Sequence, residues 1–108
     1  MNVLIVYAHP EPQSLTGSLK NFAVERLTQA GHQVQVSDLY AMKWKAAIDA
    51  DDSLEGASGP RFDPSLDSRR AFANGVQSAD IEREQQKLRW ADAVLLQFPL
   101  WWFSMPAM

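Results

Sequence analysis

A chain of 108 residues, 46% hydrophobic and 21% charged, has the composition of one small folded domain and excludes a disordered segment. Its net charge of −3 argues against a nucleic acid or an anionic membrane surface as partner. With no cysteine and only His9 and His32 for imidazole, disulfides, thiol catalysis, cysteine-held metal clusters and multi-histidine metal sites are excluded, so no metal is expected.

The opening residues pass from an apolar run directly into polar, proline-bearing sequence, so no signal peptide is expected. No apolar run approaches the ~20 residues that span a bilayer. Membrane insertion is therefore not expected, and a cytoplasmic location is the default.

Residues 3–8, VLIVYA, form a short apolar run rich in β-branched side chains, the signature of a strand buried on both faces. His9-Pro10-Glu11-Pro12 stops it, because each proline holds its predecessor away from helix. Ser14 is a good N-cap, and Leu15, Leu19, Phe22, Ala23, Leu27 and Ala30 follow at helical spacing, with Gly31 as a left-handed C-cap. Residues 33–39 alternate Val34 and Val36 with polar side chains, which predicts a strand with one wet face at a sheet edge.

Residues 40–63 carry no sustained periodicity, and a loop of that length is functional or mobile. Its acidic cluster, Asp49, Asp51, Asp52 and Glu55, lacks the spacing of a calcium loop and is expected to be a solvated face. A short helix is predicted over residues 64–74, ended by Gly75. A second, capped by Ser78, has acids early and Lys87 and Arg89 late, the charge order that suits the helix dipole. Ile81, Gln85 and Leu88 are its expected inner stripe. Residues 91–98 close the pattern as a third, nearly all-apolar strand.

Strand, helix, strand, helical crossover, strand is the first half of a doubly wound parallel sheet, with spatial order 2-1-3 and right-handed connections. Ligands of such sheets lie beyond the carboxyl ends of the strands, where the order switches direction, here between strands one and three. The segment after strand one offers His9, Ser14 and a helix N-terminus, whose free amides attract phosphate. The segment after strand three offers Pro99, Leu100, Trp101, Trp102 and Phe103. Three aromatics in a row cannot all reach one core, and two left open would expose roughly 300–500 Å², a binding-sized patch. A flat ring beside a phosphate site describes a nucleotide, and flavin fits. The alternatives are a loop histidine bonded to backbone and aromatics that cap a core or fill an interface. No G-x-G-x-x-G follows the first strand, and neither a P-loop nor a Gly-x-Ser-x-Gly elbow occurs.

LIVYAHPEPxS at residues 4–14, SDLYAM at 37–42, ExxKL at 84–88 and QFPLWWF at 97–103 together resemble the NAD(P)H:quinone oxidoreductases of flavodoxin-like fold, the DT-diaphorase-like enzymes and their bacterial relatives. The resemblance implies an α/β fold in which this chain is the N-terminal part of a single FAD-binding domain. It also implies that His9, Ser14, Leu15 and Thr16 hold the FAD pyrophosphate and neighbouring groups. Pro99, Leu100, Trp101, Trp102 and Phe103 would line the isoalloxazine ring, with Trp102 and Phe103 bordering the nicotinamide and quinone pocket. Asp63 falls near a position where some members carry a glutamine that touches the cofactor.

The implied activity is two-electron hydride transfer from NAD(P)H through FAD to a quinone, in a homodimer. SLTGS at residues 14–18 echoes the FMN phosphate loop of flavodoxins, but Leu19 replaces its last hydroxyl, so FAD is preferred and FMN is the alternative. Family members run well past this length, so the sheet is expected to be incomplete, with catalytic residues beyond residue 108. The rival readings are an ancillary subunit of a potassium-efflux system, with a peripheral transporter partner, and an inactive truncated fragment.

Overall fold

A computed structural model describes residues 1–101 and 103–106. Its elements run β1 (Asn2–Tyr7), α1 (Leu15–Gln29), β2 (Gln33–Asp38), a 3-10 turn (Ala50–Asp52), α2 (Pro64–Asn74), α3 (Ala79–Trp90) and β3 (Ala93–Gln97). The three strands form one parallel sheet in the order β2-β1-β3, as the sequence predicts. The backbone packs as two units, Met1–Ala46 with Lys87–Met108, and Ala47–Gln86.

The first unit is built on β1. A strand paired on both edges and covered on both faces must be apolar throughout, and Val3, Leu4, Ile5, Tyr7 and Ala8 are all buried. Val3, Ile5 and Tyr7 face Ala23, Val24 and Leu27 of α1 together with Val34 and Val36 of β2. Each of these large side chains contributes about 1.5–3 kcal/mol by leaving water. On β2, Ser37 is buried and accepts from Lys87 Nζ at 3.1 Å. Asn2 is held at both ends, its backbone amide on Asp92 Oδ2 (2.7 Å) and its Nδ2 on the Trp90 carbonyl (3.1 Å).

Helix α1 departs from the expected stripe. Ala23 and Leu27 face the sheet as predicted, joined by Val24, but Leu15, Leu19, Phe22 and Ala30 are exposed. An i, i+4, i+7 apolar run lies a third of a turn from the buried stripe, and periodicity alone does not say which of two neighbouring faces meets the sheet. Leu88 of α3, also expected to point inward, is 53% exposed. Strand β3 has β1 on one side, and Val94, Leu95 and Leu96 are exposed.

In the second unit, carboxylates hold loops. Asp49 caps the 3-10 turn by accepting from the Asp51 amide at 2.9 Å, while its own amide donates to Asp52 Oδ2. Part of the acidic cluster thus does local capping, as Asp63 does for α2 by accepting from the Leu66 amide. Gly75 ends α2 at φ 67, the left-handed cap expected of it. Asp67 is buried and accepts from Ser58 Oγ, the Ser58 amide and the Asp63 amide. Those donors, the Ser58 hydroxyl first, hold its carboxyl below the ordinary aspartate range despite burial, which pushes the other way.

A group whose acidity is raised by folding stabilises the fold wherever it is ionised and loses that contribution as pH falls through its lowered pKa. Asp67→Asn is therefore expected to melt below wild type at neutral pH, with the gap closing in acid. Melting temperatures of the two proteins measured across an acid series check this; a gap that persists at the most acidic pH contradicts it.

Candidate functional site

The last rung between β1 and β3 is the Ala8 amide on the Gln97 carbonyl at 3.0 Å, one step past the Tyr7–Gln97 register pair. Beyond it the chain leaves β1 towards α1 and leaves β3 by way of Pro99. Because β2 lies on one side of β1 and β3 on the other, this is the sheet's topological switch point.

The loop after β1 is ordered by its own polar groups. The Glu11 amide donates to His9 Nδ1 at 2.9 Å. An imidazole nitrogen that accepts carries no proton, so the proton of the neutral ring is on Nε2, which is left as a donor. Of the roles weighed from sequence, His9 shows the loop-bracing one through Nδ1, and its Nε2 keeps a proton to donate. Ser14 caps α1, its Oγ accepting from the Gly17 amide at 3.0 Å and its carbonyl from the Ser18 amide at 2.9 Å. A helix opens with four amides that lack intrahelical acceptors; here that of Ser14 donates to the Glu11 carbonyl and that of Gly17 to Ser14 Oγ, which leaves the amides of Leu15 and Thr16 without a partner among the described residues. No acidic residue occupies the first turn. The end of α1 thus presents two free amides and the positive pole of the helix.

Gly17 lets this arrangement close. A Cβ there would lie 2.3 Å from the Pro12 carbonyl oxygen and 3.0 Å from the Tyr7 hydroxyl, so any side chain would push the loop off the helix. The Tyr7 hydroxyl and Gln97 Oε1 are buried with no hydrogen-bond partner among the described residues. They stand on paired residues of β1 and β3, hence on the same sheet face. Lys20 Nζ lies over the Tyr7 ring, 4.8 Å from its centroid.

The loop after β3 supplies rings. Trp101 and Ser104 exchange two backbone hydrogen bonds of 3.0 Å each, closing a tight turn. Leu100 and Phe103 project into solvent, Phe103 at 97% exposure, and Pro99 is half-buried. Trp102 lies outside the described residues, so its expected place in the ring pocket has no structural counterpart here. Trp101 meets the other loop: its ring centroid is 6.1 Å from that of His9, tilted by 54°. The polar loop and the aromatic loop therefore share one site. Phe103 takes φ 59, a left-handed backbone that costs a bulky residue roughly 1–2 kcal/mol. That strain is stored where the ring stands free.

Of the residues expected from sequence, His9, Ser14, Leu15, Thr16, Leu100, Trp101 and Phe103 are on these two loops and the helix start they lead into, with Pro99 at the exit of β3. Tyr7, Gly17, Lys20 and Gln97 were not singled out. The small residue inside SLTGS was the one sequence signal for Gly17; Tyr7 and Gln97 read as ordinary strand positions. The second unit also contains a cavity of about 220 Å³ lined by Ile48, Phe62, Ala71 and Ile81 beside Asp49 and Asp67. The Asp67 carboxylate there is already engaged by loop donors, and no group of three or more metal-binding side chains occurs among the described residues.

A family model described as the flavodoxin-like fold matches residues 1–108. A solved structure of a Klebsiella pneumoniae protein, provisionally named a quinone reductase, superposes with a TM-score of 0.96 at 67% identity, covering 99% of this chain and 41% of that one. A ribosyldihydronicotinamide dehydrogenase-like protein of Penicillium crustosum is 53% identical over 99% of this chain and 40% of its own length. Human ribosyldihydronicotinamide dehydrogenase [quinone] is 47% identical over 97% of this chain and 46% of its own length. The chain spans less than half the length of each.

Gly17→Ala is expected to cost about 1–3 kcal/mol of stability through the clash with Pro12, read from urea unfolding. Phe103→Gly is expected to act in the opposite sense, stabilising by about 1 kcal/mol through relief of the left-handed backbone. A neutral or destabilising Phe103→Gly in the same urea series would show that the turn is not strained.

Proposed function

This chain belongs to the flavodoxin-like fold family, and from that premise we propose that it is the N-terminal part of a single FAD-binding domain of a quinone oxidoreductase. The observation that carries the proposal is the pairing of His9 with Trp101 across the switch point, 6.1 Å between rings, beside a helix start with two free amides. One loop is built for an anion and its neighbour for a flat apolar ring, and a flavin nucleotide has both. The orphaned Tyr7 hydroxyl and Gln97 Oε1 at the same strand ends suit a polar ligand, and Gly17 lets the Pro12 backbone and the Tyr7 hydroxyl close onto the helix start beside them.

In this reading the amides of Leu15 and Thr16 and the Nε2 proton of His9 bind the phosphates, while Ser14 keeps those amides aimed by capping the helix. Pro99, Leu100 and Trp101 line the ring, and Phe103 stands at the rim where a second flat molecule would stack. Trp102 belongs to the same lining by its place in the sequence. When bound, flavin supplies two-electron hydride chemistry that the side chains of this chain lack. The protein's part is to orient the ring and screen it from water.

The relatives' names point to a reduced nicotinamide as hydride donor and a quinone as acceptor. NAD(P)H and a simple dihydronicotinamide riboside share the nicotinamide ring and differ in the rest of the molecule. FAD is favoured over FMN because Leu19 stands where the FMN loop ends in a hydroxyl. The same reading includes a cytoplasmic homodimer. No helix among the described residues is long and apolar enough to cross a membrane.

The test is to purify the protein at its full natural length, identify any released flavin by mass spectrometry, and follow quinone-dependent oxidation of NAD(P)H and of a dihydronicotinamide riboside. A yellow, FAD-bearing preparation with turnover is expected. His9→Ala should weaken FAD binding about ten-fold or more through loss of a hydrogen bond to a charged group. A colourless protein that takes up no added flavin overturns the proposal.

A further inference from the structure

Lys20 is on the sixth position of α1, counting from Leu15. Side chains on a helix lean towards its N-terminus, so that of Lys20 runs back over the turn that holds Thr16, one turn earlier on the same stripe. Both residues are half-buried. The ammonium comes to lie over the Tyr7 ring, 4.8 Å from its centroid. The hydroxyl of that ring, buried and without a partner among the described residues, lies against Gly17 in the first turn of α1.

A cation here sits at the wrong end of the helix. The positive pole and the free amides of Leu15 and Thr16 repel it, and no acid in the first turn offsets them. No carboxylate among the described residues pairs with it. The Tyr7 ring keeps it in place, since the face of an aromatic ring attracts cations. An ammonium on a ring whose buried hydroxyl, unpartnered among the described residues, lies against the first turn of α1 lacks one component, an anion.

We propose that Lys20 is a phosphate-binding residue of this site, seated on the Tyr7 ring so that its charge meets the phosphates at the first turn of α1. The inference rests on the flavin reading above and adds to it a charged residue reached through the fold, eleven positions after His9 in the chain. Tyr7 is the positioning residue: its ring holds the ammonium and its hydroxyl faces the first turn.

The experiment compares wild type, Lys20→Met and Lys20→Arg at full natural length, stripped of cofactor and titrated with FAD, ADP and riboflavin at low and high salt. ADP carries the phosphates without the ring, and riboflavin the ring without phosphates. Lys20→Met is expected to weaken FAD and ADP about ten-fold at low salt and to flatten the loss of affinity with rising salt. Riboflavin should bind all three proteins alike, and Lys20→Arg should restore most of the loss. Independently, ADP should slow acetylation of Lys20 by an amine-reactive reagent, read by peptide mass spectrometry in the wild-type protein. If Lys20→Met binds FAD with wild-type affinity and salt dependence, or loses riboflavin as severely as FAD, the role assigned to Lys20 is wrong while the flavin reading stands. If wild type binds none of the three ligands, the flavin reading fails first and this inference with it.

Discussion

Strand β1 carries a double constraint: it is hydrogen-bonded along both edges and covered on both faces, and the rest of the first unit is arranged to satisfy it. Pairing on both sides places β2 and β3 on opposite flanks, which creates the switch point where their loops diverge. Burial on both faces demands the unbroken run from Val3 to Ile5 and recruits Ala23, Val24 and Leu27 of α1 as a lid. Once the run ends at Ala8, the chain has to turn out of the sheet beside the exit of β3. The site exists because those two exits are adjacent.

What the loops do there follows from which backbone groups they leave unsatisfied. The segment after β1 uses its polar atoms on itself: His9 Nδ1 on Glu11, Glu11 Oε1 on Gln13, Ser14 Oγ on Gly17. That internal bonding fixes the loop and leaves the amides of Leu15 and Thr16 without a partner among the described residues. The segment after β3 closes on itself through the Trp101–Ser104 pair and leaves ring faces outward, with strain accepted at Phe103 to do so. In the proposed flavin reading, a ligand that is anionic at one end and flat at the other would face both segments.

The second unit uses charge differently. Its acidic cluster reads in the sequence as a solvated face, yet Asp49 accepts from a loop amide, as Asp63 and Asp67 do outside the cluster. Acids near amide donors at helix starts stabilise backbone that would otherwise have no acceptor. Residues 47–86 thus fold around capping contacts with a modest apolar interior, of which Ala71 is the buried centre.

Strand and helix identity, the parallel order 2-1-3 and the two loops of the site were legible in the sequence. They depend on local rules: continuous apolar runs for buried strands, a hydroxyl cap, prolines that stop elements, glycine after a helix. Which face of α1 meets the sheet was not, because Leu15, Leu19 and Phe22 carry the same spacing as the stripe that is buried. Nor was the role of Tyr7 and Lys20, which are thirteen residues apart and joined only by the packing of α1 on β1. Local preference is written in neighbouring residues, so the chain alone determined its elements and their ends. Proximity between distant residues is a property of packing, so only the tertiary structure decided that His9 meets Trp101, that Gly17 touches Pro12, and that the Lys20 ammonium rests above a buried ring.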